Sequence, residues 1–358
     1  MTNPTSSLPD AAGPSSFSSS AASSSFSFSS SSGGAVEIAL LLYPGAQMAA
    51  VLGLSDLFRV AARVAARVAE RDAPALHVRH WRVGEDGVAP RCDGDRPPGA
   101  AGRPAVVILP PSLEGVPAPA LIRAVAPWLV DRHDEGAILA SVCAGAFLLA
   151  GTGLLDGRPA TTHWHHAPVL SARFPAVLVV ADRLIVDDGD VVTAGGVMAW
   201  TDLGLTLVAR FLGPAVMLET ASLLVIDPPG RDQRSYRHFA APRDHGDAAI
   251  LAAQHRLEDW SAAVPSIALL ARIAGLGDRT FLRRFQRATG LSPRDYSQNV
   301  RIGRARTLLE LGRDPVDAVA WQVGYQDPAA FRKIFRRITG LGPADYRRRF
   351  GVSASRPS

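Results

Sequence analysis

The sequence predicts an α/β fold: an N-terminal flavodoxin-like parallel-sheet sandwich, followed by an all-α C-terminal domain with two helix-turn-helix units. Apolar strand-like runs alternate with helical segments up to about residue 226, and the pattern is all-helical beyond residue 248. A sixteen-residue segment also recurs near the C-terminus. The length of 358 residues exceeds one typical hydrophobic core, which favours two domains.

The N-terminal elements follow from hydrophobic periodicity and turn residues. Strands are predicted within 36–45, 77–83, 105–110 and 137–142, and 184–196 predicts a hairpin around an Asp-Gly turn. Helices are predicted over 49–70, with an interruption near Gly53, over 120–136, directly after Cys143, and over 197–213. Strands that alternate with helices predict a mainly parallel sheet covered on both faces.

One apolar run is long enough to suggest a membrane helix. Ala137 to Leu155 contains no charged residue, but its serine, threonine and three glycines favour a buried strand followed by a helix. No membrane partner is therefore expected. Residues 1–34 are rich in serine and contain neither Lys nor Arg, which predicts a disordered tail rather than a secretory signal.

Charge and cysteine content narrow the function. The net charge is +5, yet residues 248–352 contain 18 Arg or Lys against 9 Asp or Glu. This imbalance indicates contact with a polyanion, with a solvated basic face as the alternative. Two cysteines, Cys92 and Cys143, do not make a disulfide framework and predict a cytoplasmic protein. No cofactor is predicted.

The C-terminal repeat is the most specific signal. FLRRFQRATGLSPRDY (281–296) recurs as FRKIFRRITGLGPADY (331–346), with nine identical positions at a constant offset of 50. The repeat predicts that one supersecondary unit occurs twice. Each copy follows a short helix and a glycine, Gly275 or Gly324, as in a helix-turn-helix. Three helix starts are predicted by a capping residue before proline, in the pairs Ser292-Pro293, Asp314-Pro315 and Asp327-Pro328.

The second helix of each unit predicts a DNA-reading surface. Phenylalanines spaced i, i+4 should face the core, which leaves basic and polar side chains outward. Arg and Gln read base edges, and Arg and Lys bind phosphate; an all-helical interaction domain with solvated basic faces is the alternative. The candidate DNA-binding residues are Arg279, Thr280, Arg283, Arg284, Gln286 and Arg287 in the first unit, and Ala329, Arg332, Lys333 and Arg336 in the second.

Residues 248–350 resemble the AraC/XylS family of transcription regulators, and DAVAWQVGYQDPAAFRKIFRRITGLGPADYRRRF carries the resemblance best. The resemblance implies two helix-turn-helix units joined by a long helix, here 295–312. It implies recognition helices at 278–288 and 327–338 that enter successive major grooves of double-stranded promoter DNA. RNA polymerase is expected as a further partner.

Cys143 is the most informative residue of the N-terminal half. It lies between a predicted buried strand and a helix, where backbone amides and the helix dipole favour a thiolate. His163, about 20 residues further on, could return to it. A pocket residue, an inert buried thiol, a redox switch and a hydrolase nucleophile are the alternatives. His163, His165 and His166 have no acidic or cysteine partner at metal-ligand spacing, so no metal site is predicted.

Residues 36–226 resemble the ThiJ/PfpI branch of the class I glutamine amidotransferase-like superfamily, through SVCAGAFLLAGTGLLDGRPATTHW and VDDGDVVTAGGVMAWTDLGLTLV. With the C-terminal helices, the chain looks like the GlxA-type regulators. That resemblance implies a homodimer and a small-molecule effector, such as a nitrogen-containing metabolite. The candidate effector-pocket residues are Cys143, Ala144, Gln47, Thr162, His163, Trp164, Thr193, Gly195 and Asp202.

The sequence departs from this superfamily at one position that bears on catalysis. Thiol-active members place a glutamate after the first strand, whereas the matching stretch here offers Gln47 or Met48. A glutamine cannot act as a general base, so no enzyme activity is expected. A ThiJ/PfpI-type cysteine-dependent hydrolase or redox sensor that carries a DNA-binding domain is the alternative.

The predicted division of the chain follows from composition. Residues 227–247 are polar and rich in Pro and Gly, which is typical of a linker. The predicted segments are a tail at 1–34, the effector-sensing domain at 35–226, the linker at 227–247, the DNA-binding domain at 248–350, and a tail at 351–358.

Overall fold

The computed structural model of the protein describes residues 35–68, 74–84, 90–93, 103–259 and 265–352. The predicted tail at 1–34 lies outside the described residues, as do residues 353–358 of the second predicted tail and the end of the first predicted helix at 69–70. No helix in the described part of the chain is both long enough and apolar enough to cross a membrane.

One sheet organises the N-terminal half. The strands are β1 (Val36–Leu42), β2 (Leu76–Arg82), β3 (Arg91–Cys92), β4 (Val106–Leu109), β5 (Ile138–Val142), β6 (Pro159–Ala160), β7 (Leu178–Val179), β8 (Ile185–Asp187) and β9 (Val191–Ala194). Seven of them form the order β3-β2-β1-β4-β5-β9-β8. The five central strands are parallel, whereas β3 and β8 pair antiparallel at the edges. The predicted hairpin is β8 and β9.

Helices cover both faces of this sheet. They are α1 (Met48–Val68), α2 (Pro119–Asp134), α3 (Ala146–Ala150), α4 (Ala167–Arg173), α5 (Trp200–Leu212) and α6 (Pro214–Leu224). Alternate side chains of β1 enter opposite cores: Ile38 and Leu40 pack with α1, α5 and α6, and Ala39 and Leu41 pack with α2, α3 and α4. The predicted α/β sandwich is confirmed. Helix α6 is absent from the predicted helices. It exposes Leu218 and Leu223 as well as burying other apolar side chains, so it lacks the polar face by which a surface helix is identified in sequence.

The predicted interruption of the first helix at Gly53 is wrong. Helix α1 continues through this glycine. A Cβ atom at this position would lie 2.5 Å from the ring of Trp200, at the start of α5. The glycine is therefore a point of close approach between two helices, and packing contacts compensate for its poor helix propensity.

The C-terminal half is helical. Its helices are α7 (Ala248–Glu258), α8 (Ile267–Ile273), α9 (Asp278–Thr289), α10 (Pro293–Leu311), α11 (Val316–Gln322), α12 (Pro328–Thr339) and α13 (Pro343–Phe350). Helices α8 and α9 flank Gly275, at φ +64°, and α11 and α12 flank Gly324, at φ +82°. These are the two predicted helix-turn-helix units, and the predicted second helices agree with α9 and α12 to within one residue at each end.

The internal duplication extends further than the sequence repeat. Tyr296 closes the core of the first unit and donates a hydrogen bond to Glu258 of α7, and Tyr346 does the same in the second unit with Glu310 of α10. Each tyrosine hydroxyl also accepts a hydrogen bond from the same helix, from Gln254 or Arg306. Helix α7 is thus the counterpart of α10, and the duplicated unit begins one helix earlier than the repeat at 281–296.

Two of the three predicted helix caps are confirmed. The Ser292 hydroxyl accepts a hydrogen bond from the amide of Asp295, and Asp327 accepts from the amides of Ala329 and Ala330. Asp314 does not cap α11, because Pro315 itself occupies the N-cap position. The Asp314 carboxylate instead accepts a hydrogen bond from the Gln322 side chain at 2.7 Å.

Residues 227–247 contain no regular helix or strand, yet part of this segment is tightly packed. Gln233 and Ser235 are 2% and 3% exposed. Asp232 forms an isolated antiparallel bridge with Arg183, and the backbone amide of Gln233 donates to the carbonyl of Asp182 at 2.9 Å. The segment is therefore held against the α/β domain at its centre.

Candidate functional site

Cys143 lies at a sharp turn between β5 and α3. It adopts a left-handed conformation, φ +53°, and begins a single 3₁₀ turn that ends at Gly145. A left-handed conformation is uncommon for a residue with a side chain and is typical of functional or strained positions. The side chain is 1% exposed and belongs to the core beside α1 and α5.

Burial governs the protonation of this thiol. It raises the pKa of Cys143 to about 11, although the backbone amides of Ala144 and His163 partly counteract the effect. The expectation that the helix dipole favours a thiolate is therefore wrong: α3 has five residues, and desolvation outweighs the local amides. At neutral pH the protein holds a protonated, enclosed thiol.

Of the predicted pocket residues, Thr162, Ala144 and His163 contact Cys143. Thr162 donates a hydrogen bond to the Cys143 carbonyl at 2.7 Å. Gln47 is 8% exposed at the start of α1, and its side-chain oxygen has no hydrogen-bond partner within the described protein. Sequence reasoning missed Tyr43, whose hydroxyl donates to the carbonyl of Pro110 at 2.5 Å and whose pKa is raised by burial and by proximity to Cys143.

His163 approaches the cysteine through its backbone. Its backbone amide donates to the thiol of Cys143 and lowers the thiol pKa. Its imidazole Nδ1 instead accepts a hydrogen bond from the backbone amide of His165 at 3.1 Å. The pKa of His163 is lowered, first by burial and then by His166 and His165. The imidazole is consequently neutral at pH 7 and is engaged within its own loop.

The remaining predicted pocket residues lead away from the sulfur. Thr193 accepts the amide of Thr161 at 2.8 Å, which holds the loop that continues to His163. Asp202 is 1% exposed and forms an ion pair with Arg231. Gly195 has no room for a side chain, because a Cβ atom would lie 2.1 Å from the amide nitrogen of Gln233. Asp202 and Gly195 thus meet the segment at 227–247 rather than Cys143, and Thr193 meets the loop at Thr161.

Gln233 is the central residue that sequence reasoning missed. Its side-chain amide lies among the backbone groups of Thr162, Trp164, Ala181, Arg183 and Gly196. A single glutamine in a polar segment carries no periodic signal. The one hint in the sequence is Gly195, which follows a predicted strand where no turn requires a glycine and so indicates that another group approaches the backbone closely there.

The same segment also contacts the C-terminal half. Arg306 of α10 is 3% exposed and donates hydrogen bonds to the carbonyls of Ser235 and Arg237. Its Nε donates to the Tyr346 hydroxyl at 2.7 Å in the core of the second helix-turn-helix unit. On the other side, Arg237 pairs with Asp182 at 3.3 Å. Residues 231–237 thus contact both halves of the protein.

Helices α9 and α12 present comparable outer faces. Phe281, Phe285, Phe331 and Phe335 are fully buried, as the spacing predicts. The opposite sides of both helices are exposed and basic, which suits contact with a polyanion. The exposed candidates are Arg279, Thr280, Arg283, Gln286 and Arg287 on α9, and Ala329, Arg332, Lys333 and Arg336 on α12.

Arg284 does not belong to this exposed set. Its guanidinium forms two hydrogen bonds to Asp247, at 2.9 and 2.7 Å, and Asp247 in turn caps α7. This fork fixes α9 to α7, so Arg284 has a structural partner inside the domain. Arg332 also has a partner, Asp317, but both side chains are about half exposed and the pair lies on the outer face.

Comparisons with known proteins agree with this architecture. Residues 270–349 match the helix-turn-helix domain family, and residues 101–210 match the DJ-1/PfpI family. The chain is 30% identical over 217 residues to the HTH-type transcriptional regulator GlxA of Rhizobium meliloti, a match that covers 60% of this chain and 67% of GlxA.

Two further relatives show how the resemblance is distributed. The HTH-type transcriptional regulator CdhR of Pseudomonas aeruginosa is 26% identical over 218 residues, which cover 59% of this chain and 64%, just under two thirds, of CdhR. Isonitrile hydratase of Pseudomonas putida is 34% identical over 97 residues, which cover 27% of this chain and 40% of that enzyme.

An α/β domain with a buried cysteine at a strand-helix turn, followed by two basic helix-turn-helix units, defines a class of DNA-binding regulators with a fused effector domain. The chain belongs to the GlxA-type family of transcriptional regulators, which join a DJ-1/PfpI domain to an AraC-type helix-turn-helix domain.

Proposed function

We propose that the protein is a cytoplasmic, homodimeric regulator that binds promoter DNA through α9 and α12 and responds to a small molecule bound near Cys143. Residues 35–226 are the proposed effector-sensing domain, 227–247 the linker and 248–350 the DNA-binding domain. RNA polymerase is the proposed partner at the promoter. The family resemblance favours a nitrogen-containing metabolite as the effector.

The observation that carries the DNA-binding proposal is the pair of matched basic faces. Both α9 and α12 bury two phenylalanines and expose Arg or Lys on the opposite side. Two equivalent helices suit two successive major grooves, whose centres are about 10.5 base pairs apart. Arginine reads guanine with two hydrogen bonds, and the other cations neutralise phosphates.

Coupling between the domains is proposed to run through residues 231–237. Gln233 and the Arg231–Asp202 pair attach this segment to the effector-sensing domain, and Arg306 attaches it to α10. A ligand that rearranges the loop at Thr162 and His163 would change the Gln233 contacts. The position of α10, and with it the spacing of the recognition helices, would then depend on the ligand.

A cysteine-dependent hydrolase is the second candidate function. The left-handed Cys143 and the similarity to isonitrile hydratase favour it. The raised pKa and 1% exposure of the thiol, and the glutamine at position 47, oppose both catalysis and redox sensing. A turnover assay on amides and isonitriles with Cys143→Ala as control distinguishes the functions: cysteine-dependent turnover would establish the enzyme.

DNase footprinting on the DNA upstream of the gene tests the regulator, at one stated salt concentration. We expect two protected stretches on one DNA face, one helical turn apart, that are lost with Arg332→Ala combined with Lys333→Ala. Arg59→Ala with Arg63→Ala, on α1 of the other domain, removes the same charge and should leave the footprint intact. Uniform coating that disappears with moderate salt would contradict sequence-specific binding.

A further inference from the structure

The surroundings of the Gln233 side chain form a complete binding site for a primary carboxamide. We call it the carboxamide site and define it by Thr161, Thr162, Trp164, Ala181, Arg183 and Gly196. All six residues belong to the α/β domain, whereas Gln233 belongs to the segment at 227–247. The site thus lies in one part of the protein and its occupant comes from another.

The nitrogen end of the site is rich in acceptors. The Gln233 nitrogen lies 2.9 Å from the carbonyl of Thr162, 3.0 Å from that of Arg183 and 3.2 Å from that of Ala181. The hydroxyl of Thr161 lies at 3.3 Å. Four acceptors therefore face a group that carries two hydrogens.

The oxygen end supplies donors. The Gln233 oxygen accepts from the backbone amides of Trp164, at 3.2 Å, and Gly196, at 3.3 Å. Gly195 completes the wall, since any side chain there would overlap the carboxamide. Backbone groups make up most of the site, so its geometry is fixed by the fold.

This pattern selects one chemical class. A carboxylate would place a second negative oxygen against four acceptors, without a hydrogen to offer. An ammonium would satisfy the acceptors but leave the amides of Trp164 and Gly196 buried without a partner. A primary carboxamide satisfies both ends.

We propose that the carboxamide site is a binding site for small molecules that end in a primary carboxamide, and that Gln233 occupies it in cis. A ligand that displaces the Gln233 side chain removes the most enclosed contact of residues 231–237 with the α/β domain and leaves the Arg231–Asp202 pair and the Arg183–Asp232 bridge to hold them. That consequence rests on the proposed function, whereas the binding itself does not.

A cavity that shares Trp164 with the carboxamide site can hold the remainder of such a ligand. Its volume is about 580 Å³, and Trp164, Asp182, Arg234 and Arg237 contribute to its wall. A tethered side chain competes at an effective concentration on the order of millimolar, so a free ligand needs contacts beyond its amide to displace Gln233. The cavity offers aromatic and charged groups for those contacts.

Replacement of Gln233 by alanine opens the site by the volume of one acetamide molecule, which is the probe. We expect Gln233→Ala to lower the Tm of the full chain, and acetamide to restore about 2–4 °C when its concentration exceeds Kd several-fold. Acetate and ethylammonium should not restore it. Wild type should gain nothing at the same acetamide concentration, because Gln233 fills the site.

Gln254→Ala is the matched control. Gln254 is also fully buried and hydrogen-bonded, to the carbonyl of Pro242 and the hydroxyl of Tyr296, but it lies in α7. Acetamide should give Gln254→Ala a smaller rise in Tm than Gln233→Ala. Equal rescue of both variants, or rescue of Gln233→Ala by acetate as effectively as by acetamide, would overturn the proposal.

A folding defect leaves the proposal testable. If Gln233→Ala does not fold alone, its refolding yield is measured with acetamide and with acetate, and Gln233→Gly is treated likewise with propionamide. Recovery in the amides alone supports the site, and no difference between amide and acid overturns it. None of these measurements uses DNA, so failure of the regulator proposal would appear separately in the footprint.

Discussion

At the scale of single residues, environment rather than residue type decides what Cys143 and the basic side chains do. The sequence places Cys143 correctly at a strand-helix turn, but the enclosed core around it reverses the expected effect on its pKa. Arg283 and Arg284 are neighbours of identical chemistry, yet one is exposed and the other is bound to Asp247. Neither difference is visible in the local sequence.

The raised pKa of Cys143 predicts a specific pH dependence of stability. Between its ordinary value of 9.0 and about 11, the unfolded chain loses the thiol proton while the folded protein keeps it. Stability must therefore fall as pH rises through this window, by about 1.4 kcal/mol per pH unit for this group and about 2–3 kcal/mol in total.

Denaturant unfolding of wild type and Cys143→Ala between pH 8 and pH 11 measures this contribution. The unfolding free energy of wild type minus that of Cys143→Ala should decrease steadily over that range. Cys92→Ala, at the partly exposed edge strand, should remove less of the slope than Cys143→Ala, because burial also raises the pKa of Cys92 but Arg79 counteracts it. Parallel pH curves for wild type and Cys143→Ala would mean that the folded thiol ionises as readily as the unfolded one.

Arg283 and Arg284 form a matched pair for testing the recognition face. Arg283→Ala should weaken binding to the preferred DNA sequence by about 1–3 kcal/mol if the side chain reads a base. Arg284→Ala should leave sequence preference unchanged and lower the thermal stability of the C-terminal domain, because it removes the fork to Asp247. Fluorescence anisotropy on matched and mismatched duplexes, with melting curves, measures both. Loss of sequence preference in Arg284→Ala would show that the Arg284 side chain releases Asp247 and contacts a base when the protein binds DNA.

At the scale of helices and strands, periodicity and turn residues predict what is locally encoded. The repeat and its glycines locate α9 and α12 almost to the residue, since i, i+4 phenylalanines and positive-φ turns are local requirements. The equivalence of α7 and α10 is harder to see in the sequence, because their common pattern Ile-x-x-Ala-x-x-x-Leu-Glu recurs at an offset of 52 rather than 50. Gln254 in one helix and Arg306 in the other donate to the equivalent tyrosine hydroxyls, so different side chains fill the same role.

The two Asp-Pro pairs allow a direct test of helix capping. Asp327→Ala should destabilise the second helix-turn-helix unit by about 1 kcal/mol, because it leaves the amides of Ala329 and Ala330 without their acceptor. Asp314→Ala should cost less, since it removes a bond to the exposed Gln322 side chain and keeps the backbone carbonyl that accepts from Arg347. Urea unfolding of both variants gives the comparison, and an equal or larger cost for Asp314→Ala would contradict the observed N-cap at Pro315.

At the scale of the whole molecule, five residues from Gln233 to Arg237 join the two halves. Gln233 is fixed by backbone groups of the α/β domain, and the carbonyls of Ser235 and Arg237 are fixed by Arg306. The composition of this segment predicts a linker, but not its burial, because its partners are distant backbone atoms that no local pattern encodes. A short, doubly anchored segment transmits displacement, whereas a free tether would not.

Arg306→Lys tests whether this anchorage holds the two halves together. Lysine keeps the charge, but its single ammonium cannot reach both linker carbonyls and the Tyr346 hydroxyl as the guanidinium fork does. We expect trypsin to cleave after Arg234 and Arg237 faster than in wild type, by roughly tenfold for each 1.4 kcal/mol of anchorage lost. Arg313→Lys, an exposed change just beyond α10, should leave the cleavage rate unaltered. Unchanged cleavage in Arg306→Lys, with α10 intact by circular dichroism, would locate the anchorage in Gln233 and Arg231 alone and remove α10 from the proposed path between effector and DNA.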